Sequence, residues 1–133
     1  MKRRIAREKA VQILFQIDMA EVKMHDALHM VMEDSSDDNK YLMYLVEGTL
    51  EHLQQIDEEI KQYLRGWQLD RIANVDRAIL RLAYFELMFE EVPDRVVVNE
   101  AIELAKLFSD DQSFRFVNGV LSQYLQTKQP TEE

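Results

Sequence analysis

The chain has no cysteine among its 133 residues, and only three glycines, two prolines and one tryptophan. Without thiols there is no disulfide staple, no thiolate nucleophile and no cysteine-held metal, and the composition suits a reducing compartment. So little glycine and proline leaves few places where a helix must stop, while Leu, Ile, Glu, Gln and Met are plentiful. No apolar run reaches the roughly 18–20 residues that a membrane span needs. The basic opening is not followed by a secretory apolar segment with a small-residue cleavage site. A cytoplasmic protein with no membrane association is therefore expected. Phosphate loops, nucleophile elbows and dinucleotide fingerprints are also missing, so no catalytic residue and no cofactor is assigned. At this length one domain can bury well over half of its unfolded surface.

What is present is helical periodicity. Ala6, Ala10, Ile13, Leu14 and Ile17 make one apolar stripe over residues 3–19. Met24, Leu28 and Val31 face inward on a shorter helix over 21–33, and residues 34–39 form a loop whose Ser and Asp side chains can cap the next helix. Leu42, Leu45, Thr49, Leu53, Ile56, Ile60 and Leu64 recur at steps of three and four, ending at Arg65 and Gly66. A 28-residue run over 38–65 is long for one globular helix, and a break is expected near residue 55. After a short turn, Asn74 is expected to cap a helix over 75–90 that is apolar around more than half its girth and hence central. Asn99 is expected to cap the next helix. Ser109 and Gln112 have capping-box spacing before a last helix with Phe114, Val117, Leu121 and Leu125 on one face. The fold class is all-α, a compact bundle of about seven helices. Residues 1–127 form the domain and 128–133 a flexible tail, with fraying expected from residue 126.

Charge is distributed unevenly. The chain carries −9, yet Lys2, Arg3, Arg4, Arg7 and Lys9 against Glu8 make the first ten residues +4, leaving −13 for the rest. On a helix Arg3, Arg4 and Arg7 fall within an arc of about 100°. Cations at a helix N-terminus oppose the macrodipole, so the cluster lowers stability and suits an anionic ligand instead. Arginine also favours bidentate phosphate contacts and base stacking. Three to five phosphates would give a salt slope of only about 2 to 3.5 in log K, at roughly 0.7 per phosphate. Such a patch needs stacking, or a second protein beside it. The bland alternative is a solubilising basic terminus.

Other clusters carry less. His25 and His29 have i, i+4 spacing but no third ligand, and no metal is assigned. The pairs Glu58–Glu59, Glu90–Glu91 and Asp110–Asp111 point about 100° apart on a helix and do not converge on a substrate. Glu86 falls in the apolar arc of the central helix and needs a donor. Gly119 sits inside a helical pattern and is expected to mark a close helix approach.

R-R-x-A-R-E-x-A-V-Q-x-L-F at 3–15, N-V-D-R-A-I-L-R-L-A-Y-F-E-L at 74–87, V-N-E-A-I-E-L-A-K-x-F at 98–108 and F-V-N-G-V-L at 116–121 together resemble the NusB family of bacterial transcription antitermination factors. The resemblance covers nearly the whole chain. It implies two small packed helical sub-bundles, no enzymatic activity, and binding of boxA RNA together with NusE, a small-subunit ribosomal protein, within an RNA polymerase antitermination complex that acts notably on ribosomal RNA operons. It places Lys2, Arg3, Arg4 and Arg7 in an arginine-rich RNA-binding motif, Gln12, Phe15, Phe116 and Asn118 near the RNA, and Asp76 towards NusE, with Asp76→Lys expected to break that contact and leave the fold intact. It also admits a homodimer that pairs through the RNA-binding surface. Two positions depart from the pattern. Ile5 interrupts the arginine run and removes one phosphate contact, and Gln112 stands where an acidic residue is usual, which is expected to tighten RNA binding. A helical module that binds only protein remains an alternative, as does a recognition domain of a larger RNA methyltransferase.

Overall fold

The computed structural model describes residues 1–32 and 39–128. Among them are seven α-helices: α1 (Arg3–Ala20), α2 (Met24–Met32), α3 (Lys40–Glu51), α4 (Leu53–Lys61), α5 (Asn74–Phe89), α6 (Asp94–Phe108) and α7 (Asp111–Lys128). One 3₁₀ turn, Leu69–Arg71, lies between α4 and α5. The all-α expectation holds. Helices α1 to α3 form one group and α4 to α7 the other, joined where α5 lies along α1.

Helix α5 is central because it is apolar around more than half its girth. Ala78, Ile79, Leu80, Leu82, Ala83, Tyr84, Phe85 and Leu87 are all buried, and α5 packs against α1, α3, α4, α6 and α7. Each fully buried Leu, Ile or Phe is worth roughly 1.5–3 kcal/mol, so this helix anchors the core. Its charged side chains act as cross-links. Arg77 donates to Asp18 of α1 at 2.7 and 2.9 Å and to the carbonyl of Leu69 at 2.9 Å. Arg81 forms a two-pronged pair with Asp57 of α4, both contacts at 2.9 Å.

Several expected boundaries move. The long helical run breaks at His52, three residues before the expected position. Its Nδ1 pairs with the carbonyl of Gly48 at 3.0 Å and its ring stacks on Phe89 at 4.1 Å. Asn74 is the first residue of α5 rather than its cap; Ala73 takes the extended conformation, and the Asn74 amide oxygen accepts from Arg77 at 2.6 Å. Asn99 lies inside α6, which starts five residues earlier behind Pro93. The Ser109–Gln112 capping box does not form. Asp110 caps α7 by accepting the Ser113 N–H at 3.0 Å, and the Ser109 hydroxyl turns towards Asp76. On α2 the buried residues are Ala27 and Met32, with Met24, Leu28 and Val31 half-buried. Gly119 is exposed, and a Cβ there would meet nothing within 4 Å. The close helix approach is at Gly48, against the ring of Phe85. Residues 126–128 are helical, and Lys128 reaches back to the Leu87 carbonyl at 3.2 Å. Residue 33, the expected loop up to residue 38 and the tail from 129 lie outside the described residues.

Candidate nucleic-acid interface

Within its own first turn, helix α1 has nothing to offset its cations. Its cap residue, Lys2, makes no side-chain capping bond, and the first turn holds no acidic residue. Lys2, Arg3, Arg4 and Ile5 are exposed; Ile5 therefore faces solvent, not the core. The arginines diverge. Arg3 lies over the ring of Tyr41 on α3, its guanidinium carbon 4.5 Å from the ring centre, a cation–π contact. Arg4 points the other way and forms a fork with Glu100 of α6, at 3.2 Å from Nε and 2.7 Å from Nη2.

Arg7 corrects the sequence reading. It is 5% exposed, and its guanidinium is matched to Glu86 of α5: Nε donates to Oε1 at 3.0 Å and Nη2 to Oε2 at 2.9 Å. The Tyr41 hydroxyl adds a contact to Oε2 at 3.4 Å. Burial pulls the Arg7 pKa down, but the hydrogen bonds and charge of Glu86 outweigh it and leave it raised. Arg7 is thus a structural cation with no free face for phosphate, and it is the donor that Glu86 required. The signal was in the spacing. Arg7 stands three, four and seven residues before Ala10, Val11 and Leu14, all buried on the core stripe.

Several of the remaining expected residues border adjoining cavities. Arg4, Glu8 and Gln12 share a face of α1 at intervals of four, and Phe15 follows three residues on. Gln12 and Phe15 line a cavity of about 510 Å³ with Ala73, Asn74, Val75 and Phe108. Ala73 also borders a second cavity of about 350 Å³, which holds Asp76, Gln112 and Phe116. Phe116 then borders a third, of about 460 Å³, with Asn118 and Gly119. Adjoining cavities thus link Gln12 and Phe15, through Ala73 and Phe116, to Asn118, and Arg4 lies about two turns before Gln12 on the same face of α1.

Asp76 does not stand on the surface. It is 5% exposed, and the hydroxyls of Ser109 and Ser113 bond to it. Burial pushes its pKa up, Asp110 adds to the rise, and the two serines hold it down. A lysine at this position would bury a charge, so Asp76→Lys perturbs the fold as well as any partner contact.

Residues 4–126 match the NusB family model. The chain belongs to the NusB family. It is similar to the transcription antitermination protein NusB of Bacillus subtilis (strain 168), 54% identical over 123 residues that cover 92% of this chain and 93% of the relative. Among solved structures it is similar to T. maritima NusB, with a TM-score of 0.86 at 34% identity over 95% of this chain and 92% of that one. It is also similar to a chain in the crystal structure of antitermination factors NusB and NusE in complex with double-stranded RNA, with a TM-score of 0.84 at 29% identity over 94% and 96% of the two chains. Against this NusB-family background, the sequence reading passed over three side chains. Trp67 is 61% exposed and borders both the Phe116 cavities, Tyr41 carries Arg3, and Glu100 holds Arg4. The lone tryptophan beside Gly66 was a usable signal. Tyr41 and Glu100 come from other helices and carry none. His25 and His29 are both exposed on α2, and no cluster of three or more His, Asp or Glu side chains able to hold a metal occurs among the described residues.

Proposed function

We propose that this protein is a non-enzymatic transcription antitermination factor that works in the cytoplasm. In this reading it binds boxA-containing RNA together with NusE and supports RNA polymerase in processive transcription, notably of ribosomal RNA operons. The observation that carries the reading is the similarity to a NusB chain solved with NusE and RNA. It is supported by Lys2, Arg3 and Arg4 at the exposed end of α1, next to a track of amide and aromatic side chains. The acidic remainder of the surface suits a basic ribosomal protein. With Arg7 withdrawn, two to three phosphate contacts remain, for a salt slope of about 1.5 to 2. That is weak alone, so RNA affinity depends on NusE.

Fluorescence anisotropy with boxA RNA against a scrambled RNA, with and without NusE, tests this. Tighter binding of boxA and a large gain on adding NusE are expected, with the Arg3→Ala variant lowering the salt slope by about 0.7. Equal binding of both RNAs, or no effect of NusE, refutes the reading.

A further inference from the structure

The V-N-E-A-I-E-L stretch of α6 supplies Glu100, which is not itself an RNA ligand in the reading above the basic arm supports. Its carboxylate is nearly buried, with 15% of the side chain exposed, while Arg4 is 62% exposed. The glutamate is thus the fixed member of the pair, and the arginine is the member free to swing. The contact occupies Nε and Nη2 of Arg4 together, one planar edge of the guanidinium. That edge is one of the two from which an arginine can hold a phosphate with two parallel hydrogen bonds, the Nη1–Nη2 end being the other. Glu8 and Glu103 add to the negative field at Arg4 and line the same small cleft of about 120 Å³. Arg3 differs: its partner is an aromatic face, which leaves the N–H edges open.

We propose that Glu100 competes with a polyanion for one bidentate edge of Arg4, so that Arg4 engages a polyanion fully only after Lys2 and Arg3 have bound it. The arm then has two grades of cation. Arg3 is available at once, whereas Arg4 must exchange a carboxylate for a phosphate. A single phosphate gains little from that exchange. A strand already held at neighbouring positions gains more, because its next phosphate is presented at high effective concentration. Glu100 would thereby discriminate against short or isolated anions.

This inference rests on the RNA-binding reading, and two measurements separate their failures. In anisotropy with boxA RNA and NusE, Glu100→Gln is expected to tighten binding about two- to fivefold, the range an exposed ion pair commands. It should also steepen the salt slope by up to about 0.7. Arg4→Ala should then lose more affinity in the Glu100→Gln background than in the wild-type one. A supporting role for Glu100 predicts the reverse, namely weaker binding by Glu100→Gln and a smaller loss from Arg4→Ala in that background. Either that pattern, or no change in affinity and slope, overturns the proposal. The second measurement uses no RNA. On titration with inorganic polyphosphate, the Arg4 Nε–H resonance should respond at lower concentration in Glu100→Gln than in wild type, and equal responses overturn the competitor role. If neither protein binds RNA while the resonances still differ, the competitor role stands and the RNA reading falls.

Discussion

Arg7 and Glu86 offer the sharpest separation between a structural and an RNA-binding cation. Their side chains are 6% and 2% exposed, and three hydrogen bonds join them. Removing one member of such a pair leaves an uncompensated buried charge, at about 3–5 kcal/mol. Replacing both with apolar groups of similar volume is often neutral or stabilising. Arg7→Met should therefore lower the urea midpoint by about 1.5–2.5 M, taking a dependence of roughly 2 kcal/mol per molar urea. Glu86→Gln should do much the same, because its amide N–H₂ would confront the guanidinium. The double variant Arg7→Met, Glu86→Leu should recover most of the loss. RNA titrations at low temperature, where each variant stays folded, should show the wild-type salt slope in Arg7→Met. An unchanged urea midpoint in Arg7→Met, together with a salt slope reduced by about 0.7, would refute the buried-pair account and return Arg7 to the RNA.

Asp76 has a raised pKa, so it takes up protons more readily folded than unfolded, and its ionisation lowers stability as pH climbs through and above the ordinary carboxylate range. Asp76→Asn should be more stable than wild type at pH 7, with the difference closing below about pH 4; a constant difference in urea midpoint across that range would contradict this. Gly48→Ala should destabilise by about 1–2 kcal/mol. The new Cβ would meet Phe85, including its Cε1 at 2.5 Å, and that ring is confined by His52, Tyr44 and Phe89. An unchanged melting temperature would show that the ring can move aside. Gly119→Ala should stabilise by about 0.5–1 kcal/mol, since an exposed helical glycine is replaced where a Cβ has open space; a lower urea midpoint would count against it.

Periodicity made the helices legible, because each one buries a stripe that repeats every three to four residues. Leu42, Leu45, Thr49, Ile56, Ile60 and Leu64 are buried, as their spacing requires, and Leu53, at the break after His52, is half-buried. Helix ends were less legible. A capping residue is chosen by backbone conformation, and Ala73 and Pro93 are extended where the better hydrogen-bonding residues nearby are helical. The charged site was readable in number but not in direction. Arg3, Arg4 and Arg7 look alike in sequence, yet one lies on an aromatic ring, one on a nearly buried carboxylate and one in the core. Those fates are decided by Tyr41, Glu100 and Glu86, between 38 and 96 residues away along the chain. No local pattern encodes such pairings. Glu86 was anomalous by itself in the apolar arc of α5, and Arg7 accounts for it.

Helix α5 carries Asp76 in its first turn and Glu86 near its far end, ten residues apart. An unbroken helix of that length sets them about 15 Å apart along its axis. One end meets the cavity of Gln112 and Phe116, and the other grips the root of the basic arm. Helix α5 is thus a gauge of set length between the two ends of the track. Inserting one residue within it would lengthen the gauge by only about 1.5 Å but turn one end against the other by about 100°. The root of the arm and the cavity of Phe116 would then be turned out of their present alignment. Substitutions at exposed positions leave that length and angle alone, whereas any insertion or deletion between Asp76 and Glu86 changes both.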